Sequence, residues 1–166
     1  MRILVLCTHN SARSQMAEGW LRHYINQKSL DQKGLDIVVT SAGTEKTRVK
    51  SMAIQVMQEV DIDISKQSSK TLWDVPEPWK FEIVITLCDS AKENCPTYPM
   101  KTTMFHVPFV DPSGQPVEMW QRVRDSLGRM CEYLIDVLAS GGTLTEFHLR
   151  AVALIGVDGL PSRWSG

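Results

Sequence analysis

Residues 2–16 have the sequence RILVLCTHNSARSQM, in which a short apolar run precedes a polar loop and then a helical pattern. The run from Arg2 to Leu6 is apolar and partly β-branched, which predicts a buried strand. Residues 7–13 follow as a loop, and a helix is predicted over residues 12–27, where apolar side chains recur on one face. This stretch predicts a strand, a loop and a helix N-terminus in direct succession, which is the opening unit of an α/β fold.

The same alternation of strand and helix continues along the chain. Further strands are predicted over residues 36–40, 81–87 and 101–107, and further helices over residues 49–60 and 117–139. We expect the Ser41–Thr44 segment to break the second strand. Strands that alternate with helices indicate a parallel sheet covered on both faces. The fold class we expect is α/β, a three-layer sandwich on a four-stranded parallel sheet with helices on both faces.

Length and composition bound the class of protein. The chain has 166 residues and a net charge of −1, so its overall field attracts neither nucleic acid nor an anionic membrane. No apolar run approaches the roughly 18 residues of a membrane span, and residues 3–6 are too few for the core of a signal peptide. We therefore expect a cytoplasmic monomer with one core-forming domain and no nucleic-acid or membrane partner.

Cys7 opens the loop between the first strand and the first helix, and we call residues 7–13 the Cys7 loop. At this position backbone N–H groups and the helix dipole can bind an oxyanion, and the Arg13 guanidinium matches two of its oxygens. The same groups, with a hydrogen bond from Ser14, would stabilise a thiolate. The alternative is an inert buried cysteine. The candidate oxyanion-binding residues are Thr8, His9, Asn10, Ser11, Ala12 and Arg13, with His9 acting through its backbone only.

Cys88 and Cys95 form a second candidate site, which we call the cysteine pair. A disulfide between them is feasible if the intervening loop bends, and cysteines in a cytoplasmic protein favour catalytic, redox or metal roles. A zinc site that includes His106 is the competing interpretation, although three ligands at this spacing fit zinc poorly. Cys131 falls on the apolar stripe of the last long helix and is expected to be a core thiol.

Three candidate residues and one loop come at or shortly after the ends of predicted strands. Cys7, Ser41, Cys88 and the Asp111 loop each come at or just after the carboxyl end of a strand. Ligands of parallel α/β sheets bind at that edge. We therefore expect these residues to converge on one end of the sheet.

These motifs resemble those of the low-molecular-weight tyrosine phosphatase superfamily, and in particular its thioredoxin-coupled arsenate reductase branch. The Cys7 loop continues as Ser14-Gln15-Met16-Ala17-Glu18-Gly19. Phosphatases of this fold usually have Ser-Pro at the positions of Ser14-Gln15. Further matches are Thr40-Ser41-Ala42-Gly43, Val60-Asp61-Ile62-Asp63-Ile64-Ser65, Thr86-Leu87-Cys88, Asn94-Cys95-Pro96 and Asp111-Pro112. The resemblance implies a phosphatase-like domain over residues 1–139. Residues 140–166 are then a C-terminal extension of unknown role, in which Thr143 and Glu146 predict a capping box for a helix to about Ile155.

The resemblance implies that the protein reduces arsenate to arsenite without a cofactor or a resident metal. In that reaction Cys7 attacks arsenate and Asp111 protonates the departing oxygen. A Cys7–Cys88 disulfide forms next and passes to Cys88–Cys95, which thioredoxin reduces. The implied catalytic residues are Cys7, Arg13, Ser14, Cys88, Cys95 and Asp111.

Related reductases can bind potassium near this loop through residues that match Asn10, Glu18 and Ser41 and through an aspartate. This sequence has Lys70 where that aspartate would fall. We therefore expect the Lys70 ammonium to replace the cation.

Two other functions stay open at the level of the sequence. The first is a low-molecular-weight protein tyrosine phosphatase, since arsenate and phosphate are both tetrahedral, although no aromatic residue follows Asp111-Pro112 to hold a phosphotyrosine ring. The second is a non-enzymatic binder or sensor of an oxyanion or of arsenite. Cys88 separates the first alternative from the reductase, because only the reductase needs its thiol.

Overall fold

A computed structural model describes residues 1–89 and 95–154 of the chain. Strands and helices alternate along most of this length. Their order is β1 (Arg2–Leu6), α1 (Arg13–Gln27), β2 (Val38–Ala42), α2 (Ser51–Gln58), β3 (Ile83–Thr86), β4 (Thr103–His106), α3 (Val117–Ala139) and α4 (Glu146–Leu154). A short 3-10 helix at Leu72–Asp74 precedes β3.

The four strands form one parallel sheet in the order β2-β1-β3-β4. The central strand β1 pairs with β2 on one side and with β3 on the other, and all four residues of β3 are buried. Because Leu6 pairs with Thr86, the residues that follow β1 and β3 leave the sheet side by side. The predicted four-stranded parallel sheet is confirmed.

The two faces of the sheet are covered unequally. All four helices contribute to the larger core, which includes Ile3 and Val5 of β1. On the opposite face, Leu4 and Leu6 pack with residues from the 3-10 helix and its neighbouring loops. The predicted layers are therefore present on both faces, and in the described residues the second layer is thin. No helix within the described ranges is both long enough and apolar enough to span a membrane.

The second strand lies two residues later than predicted, because β2 covers Val38–Ala42 and ends within the Ser41–Thr44 segment. Ser41 pairs with Val5 and Ala42 with Leu6, and both small residues are fully buried. Ladder pairing with the central strand outweighs the local turn preference of the segment. Elsewhere the predicted elements are present: β1 and α3 have the predicted bounds, and three other elements are shorter. Helix α2 begins at Ser51, β3 begins at Ile83 and β4 has four residues.

The predicted capping box of the last helix is wrong. The Thr145 hydroxyl, not Thr143, accepts the N–H of His148 at 3.1 Å. The Glu146 carboxylate instead accepts the N–H of His106 on β4 at 2.6 Å. A tertiary hydrogen bond to the edge strand therefore replaces the local cap. The predicted helix end at Ile155 and the residues that follow it lie outside the described part of the chain.

Candidate active site

Cys7 lies where β1 ends and the Cys7 loop begins. Its N–H donates to the carbonyl of Ala42 at 3.2 Å, which fixes the start of the loop against the end of β2. Its side chain is buried, and the sulfur lies 2.9 Å from the hydroxyl of Ser14. The contact predicted between Ser14 and the sulfur is thus present.

Asn10 gives the loop its shape. Its backbone has φ of 48°, in the left-handed region that asparagine tolerates better than most residues. Its side-chain amide donates to the hydroxyls of Ser14 at 2.8 Å and Ser41 at 2.9 Å. Because Ser14 oxygen accepts this bond, the Ser14 proton is free to point at the Cys7 sulfur.

The carbonyls of the Cys7 loop are bonded to groups outside it. The acceptors and their donors are Thr8 (N–H of Thr44 and Glu45), His9 (hydroxyls of Thr47 and Ser69), Asn10 (Gln15 side chain), Ser11 (N–H of Lys50) and Ala12 (N–H of Met16). The C=O and N–H of a trans peptide point in opposite directions. Carbonyls bonded outward therefore direct the N–H groups of residues 9–13 toward the loop interior, which is the arrangement of a backbone anion site.

Gly43 permits this close packing of loop and sheet. A Cβ atom at this position would lie 2.6 Å from the Thr8 oxygen, 2.9 Å from the Asn10 nitrogen and 2.9 Å from the Cys7 oxygen. All three contacts are with backbone, which has no room to move. Any larger residue here would push the loop away from β2.

Gln15 is a site residue that the sequence did not assign. Its amide nitrogen lies 2.9 Å from both the backbone and side-chain oxygens of Asn10 and 3.0 Å from the carbonyl of Ser68. Gln67 in turn donates to the Gln15 side-chain oxygen at 2.8 Å. The signal was the departure from Ser-Pro at this position, since a proline could make none of these bonds.

Arg13 connects the Cys7 loop to the segment after β4. Its side chain is buried, donates to the carbonyl of Phe109 at 3.0 Å and lies 3.9 Å from the Asp111 carboxylate. Together with the bond between Asn10 and Ser41, this contact brings Cys7, Ser41 and Asp111 to one end of the sheet. The predicted convergence holds for these residues.

Asp111 is half-buried beside cationic groups. Burial acts to raise the pKa of its carboxyl, but hydrogen bonds from Ser113 and the charges of Arg13 and Lys50 outweigh burial, and the pKa lies below its ordinary value. The N–H of Ser113 donates to the carboxylate at 3.0 Å, and Lys50 donates to the Ser113 hydroxyl at 2.8 Å. In the protein without substrate, Asp111 is therefore an anion at neutral pH.

Glu18 is a buried carboxylate beneath the loop. It accepts the N–H of Ser41 at 3.0 Å and the Ser41 hydroxyl at 3.2 Å. Its charge faces Arg22 at 3.7 Å and the Lys70 ammonium at 3.8 Å. Burial lowers the pKa of Lys70, and the Glu18 charge opposes that shift. The Lys70 side chain expected beside Glu18 lies there. The backbone N–H of Lys70 also donates to the side-chain oxygen of Asn10 at 2.9 Å.

The cysteine pair forms a disulfide with a Cα–Cα distance of 5.7 Å, whereas Cys7 is a free thiol. Cys88 is fully buried and Cys95 is partly exposed. Residues 90–94, which make up most of the loop between the two cysteines and include Asn94, lie outside the described part of the chain. Cys131 is buried within the core, where desolvation raises the pKa of its thiol, as expected of a core residue.

The fold and this loop define a class: an α/β protein that presents a cysteine and an arginine around a loop of inward-directed N–H groups at the carboxyl end of a parallel sheet. The family described as low molecular weight phosphotyrosine protein phosphatase matches residues 2–142. The chain belongs to this family.

Several relatives in the family are arsenate reductases. Arsenate reductase 2 of Staphylococcus saprophyticus is 41% identical over 134 residues, which cover 81% of this chain and 95% of that protein. The solved structure of an arsenate reductase in the phosphate-binding state has a TM-score of 0.65 and 33% identity, and covers 81% of this chain and 96% of that one. A low molecular weight protein tyrosine phosphatase from T. tengcongensis has a TM-score of 0.64 and 27% identity, with 82% and 98% coverage.

Proposed function

We propose that this protein reduces arsenate to arsenite, with Cys7 as the nucleophile and the cysteine pair as the carrier of the oxidising equivalents. The observation that carries this proposal is the presence of a Cys88–Cys95 disulfide together with a free Cys7. A phosphatase needs only the nucleophile and the anion site. A pair of cysteines that can cycle between thiol and disulfide is what a reduction requires in addition.

The Cys7 loop binds the arsenate oxyanion. Backbone N–H groups of the loop and the fork of Arg13 take the oxygens, and the Ser14 hydroxyl stabilises the Cys7 thiolate. Because the chain as a whole carries a charge of only −1, this local arrangement supplies the attraction for the anion.

The reaction proceeds by three thiolate attacks. The Cys7 thiolate attacks arsenic(V), an S–As bond forms, and one oxygen leaves as water after protonation. Cys88 then attacks the Cys7 sulfur, and the electron pair of the S–As bond goes to arsenic, which leaves as arsenite. Cys95 attacks Cys88, which frees Cys7 and leaves the Cys88–Cys95 disulfide. The pairing of β1 with β3 supports the second step. Leu6 pairs with Thr86, Cys7 follows Leu6 by one residue, and Cys88 follows Thr86 by two.

Asp111 supplies the proton for the departing oxygen. The carboxyl is an anion without substrate, since Ser113 and Arg13 lower its pKa. A bound arsenate dianion would balance the positive charge of Arg13 and place negative charge near the carboxylate. Both changes favour protonation, so we expect Asp111 to become an acid only when the site is occupied.

A dithiol protein of the thioredoxin type reduces the final disulfide in the cytoplasm. The relay moves the disulfide from Cys7, which is buried, to Cys95, which is partly exposed. The partner therefore does not have to enter the anion site. We expect the protein to act as a monomer.

A phosphatase is the second candidate, because the same loop would bind a phosphate ester and a phosphatase structure of this family has a similar fold. The test is arsenate-dependent NADPH oxidation in an assay coupled to thioredoxin and thioredoxin reductase, beside hydrolysis of an aryl phosphate. We expect many turnovers with arsenate, which also excludes a stoichiometric binder or sensor.

The matched variant for this test is Cys88→Ser. It should abolish arsenate turnover and leave aryl phosphate hydrolysis within about twofold, because Cys88 takes no part in attack on phosphorus. Rapid hydrolysis of the ester by the parent protein without arsenate-dependent NADPH oxidation would contradict the proposal.

A further inference from the structure

The cysteine pair has a third neighbour, His106 at the end of β4. One ring nitrogen of His106 and the sulfurs of Cys88 and Cys95 all lie within 4.8 Å of one another. The sequence places Cys88 and Cys95 at a spacing that suits zinc poorly. Parallel pairing of β3 with β4 supplies the third group, because Thr86 and His106 are register partners.

The His106 ring has one nitrogen engaged and one available. Its Nδ1 lies 2.7 Å from the Thr86 hydroxyl. Its Nε2 is buried and has no hydrogen-bond partner in the part of the chain that the structure describes. If Nδ1 donates its proton to Thr86, Nε2 keeps its lone pair. That tautomer is the one a metal ligand needs, and such a second-sphere bond accompanies most ligating histidines.

Helix α4 holds the backbone of His106 from the outer edge of the sheet. The Glu146 carboxylate accepts the His106 N–H at 2.6 Å, and Arg150 donates to the His106 carbonyl at 2.7 Å. Glu146 and Arg150 also pair with each other at 3.5 Å. Because both backbone groups are fixed, the ring is held beside the sulfurs before any ligand arrives, as a metal site requires.

We propose that the reduced protein binds one Zn²⁺ through Cys88, Cys95 and His106, with the fourth position open to water. Two thiolates, one imidazole and one open position form a known zinc coordination set. Zinc bonds of roughly 2.3 Å to sulfur and 2.0 Å to nitrogen put tetrahedral ligands about 3.5–3.8 Å apart. The His106 nitrogen and the two sulfurs lie within 4.8 Å of one another, and reduction of the disulfide would free the sulfurs to separate to that range.

The redox state of the cysteine pair controls this site. In the disulfide, both sulfurs are bonded to each other and neither can ligate. An external dithiol delivers two electrons and two protons to the disulfide, and Zn²⁺ then displaces the two thiol protons, so that metal binding itself moves no electrons. Zinc would also occupy the two resolving thiols and stop arsenate reduction. This inhibition rests on the proposed function, whereas the binding does not.

The test uses the full chain with the substitution Cys7→Ser, which removes the other reactive thiol. Co²⁺ is titrated into the reduced and the oxidised protein, its thiolate charge-transfer absorption is followed, and Zn²⁺ is then added as a competitor. We expect one Co²⁺ per reduced chain, displacement by one Zn²⁺, and no such band in the disulfide form.

The deciding variant is His106→Asn, because asparagine can keep the bond to Thr86 while it removes Nε2. We expect the affinity for Zn²⁺ to fall at least about tenfold, with an unchanged circular dichroism spectrum. Should this variant fail to fold, X-ray absorption at the zinc edge of the Cys7→Ser protein answers the same question. It should show two sulfur ligands and one imidazole.

Equal zinc affinity in the reduced and oxidised forms, an unaltered affinity in His106→Asn, or a spectrum without imidazole would each overturn the proposal. Arsenate turnover by the protein with Cys7 intact is measured separately, with a metal chelator present, so that zinc cannot affect it. An absence of turnover in that assay would count against the proposed function and not against the metal site.

Discussion

The Cys7 loop and the cysteine pair differ in how the protein holds them. Every carbonyl from Thr8 to Ala12 accepts a hydrogen bond, and Gly43 lets β2 press against the loop. Cys88 and Cys95 are joined by a disulfide, and His106 lies near both sulfurs. An anion site needs fixed N–H groups, whereas a relay needs sulfurs that can change partners. In the proposed mechanism, the Cys7 loop selects a tetrahedral oxyanion, and the cysteine pair decides what happens to it.

This comparison predicts that changes in the Cys7 loop affect every reaction, whereas changes in the cysteine pair affect reduction alone. Cys7→Ser should produce the largest effect. Without the thiolate nucleophile, we expect arsenate turnover and aryl phosphate hydrolysis both to fall by at least about 10³-fold. The measurements are the coupled NADPH assay and the release of the phenol. Cys131→Ala is the matched control and should retain both activities, because Cys131 is a core thiol.

Arg13→Lys should lower kcat/KM for both substrates by about 10²-fold. Lysine keeps the positive charge but lacks the planar fork that takes two oxygens at once. Steady-state kinetics with arsenate and with an aryl phosphate measure the effect. A loss confined to arsenate would show that Arg13 does not serve a common anion site.

Gly43→Ala should disturb the loop through sterics. Its Cβ would meet loop backbone at 2.6 Å, so we expect a loss of about 1–3 kcal/mol in the free energy of unfolding and a drop in both activities. Gly142→Ala is the control. Its Cβ would approach no atom closer than 3.3 Å, where it meets the Val137 side chain far from the Cys7 loop, so stability and activity should change little. Equal effects of the two substitutions on activity would weaken the argument for a rigid loop.

Lys70→Gln should have the smallest effect. It leaves the buried Glu18 carboxylate with one cation fewer, and we expect a several-fold lower kcat/KM that added potassium partly restores. The parent protein should be insensitive to potassium, because the Lys70 ammonium already lies 3.8 Å from Glu18. Kinetics at constant ionic strength with potassium or a bulky organic cation distinguish the two proteins. Strong dependence of the parent on potassium would contradict this role.

The sequence predicted the features that depend on local pattern. The strand, loop and helix around Cys7 follow from one apolar run and one helical period, and the parallel sheet follows from alternation. It missed features that depend on distant partners. Strand β2 extends through Ala42 because it pairs with β1. Glu146 accepts a hydrogen bond from an edge strand 40 residues away. Gln15 donates hydrogen bonds to Asn10 and Ser68. No local propensity encodes such contacts.

The most direct test of the account is a single turnover by a Cys95→Ser variant. The reduced variant is mixed with arsenate without thioredoxin, arsenite is counted, and disulfides are mapped by mass spectrometry after the remaining thiols are alkylated. We expect about one arsenite per chain and a disulfide between the peptides that contain Cys7 and Cys88. One arsenite per chain with Cys7 still open to alkylation would contradict this expectation.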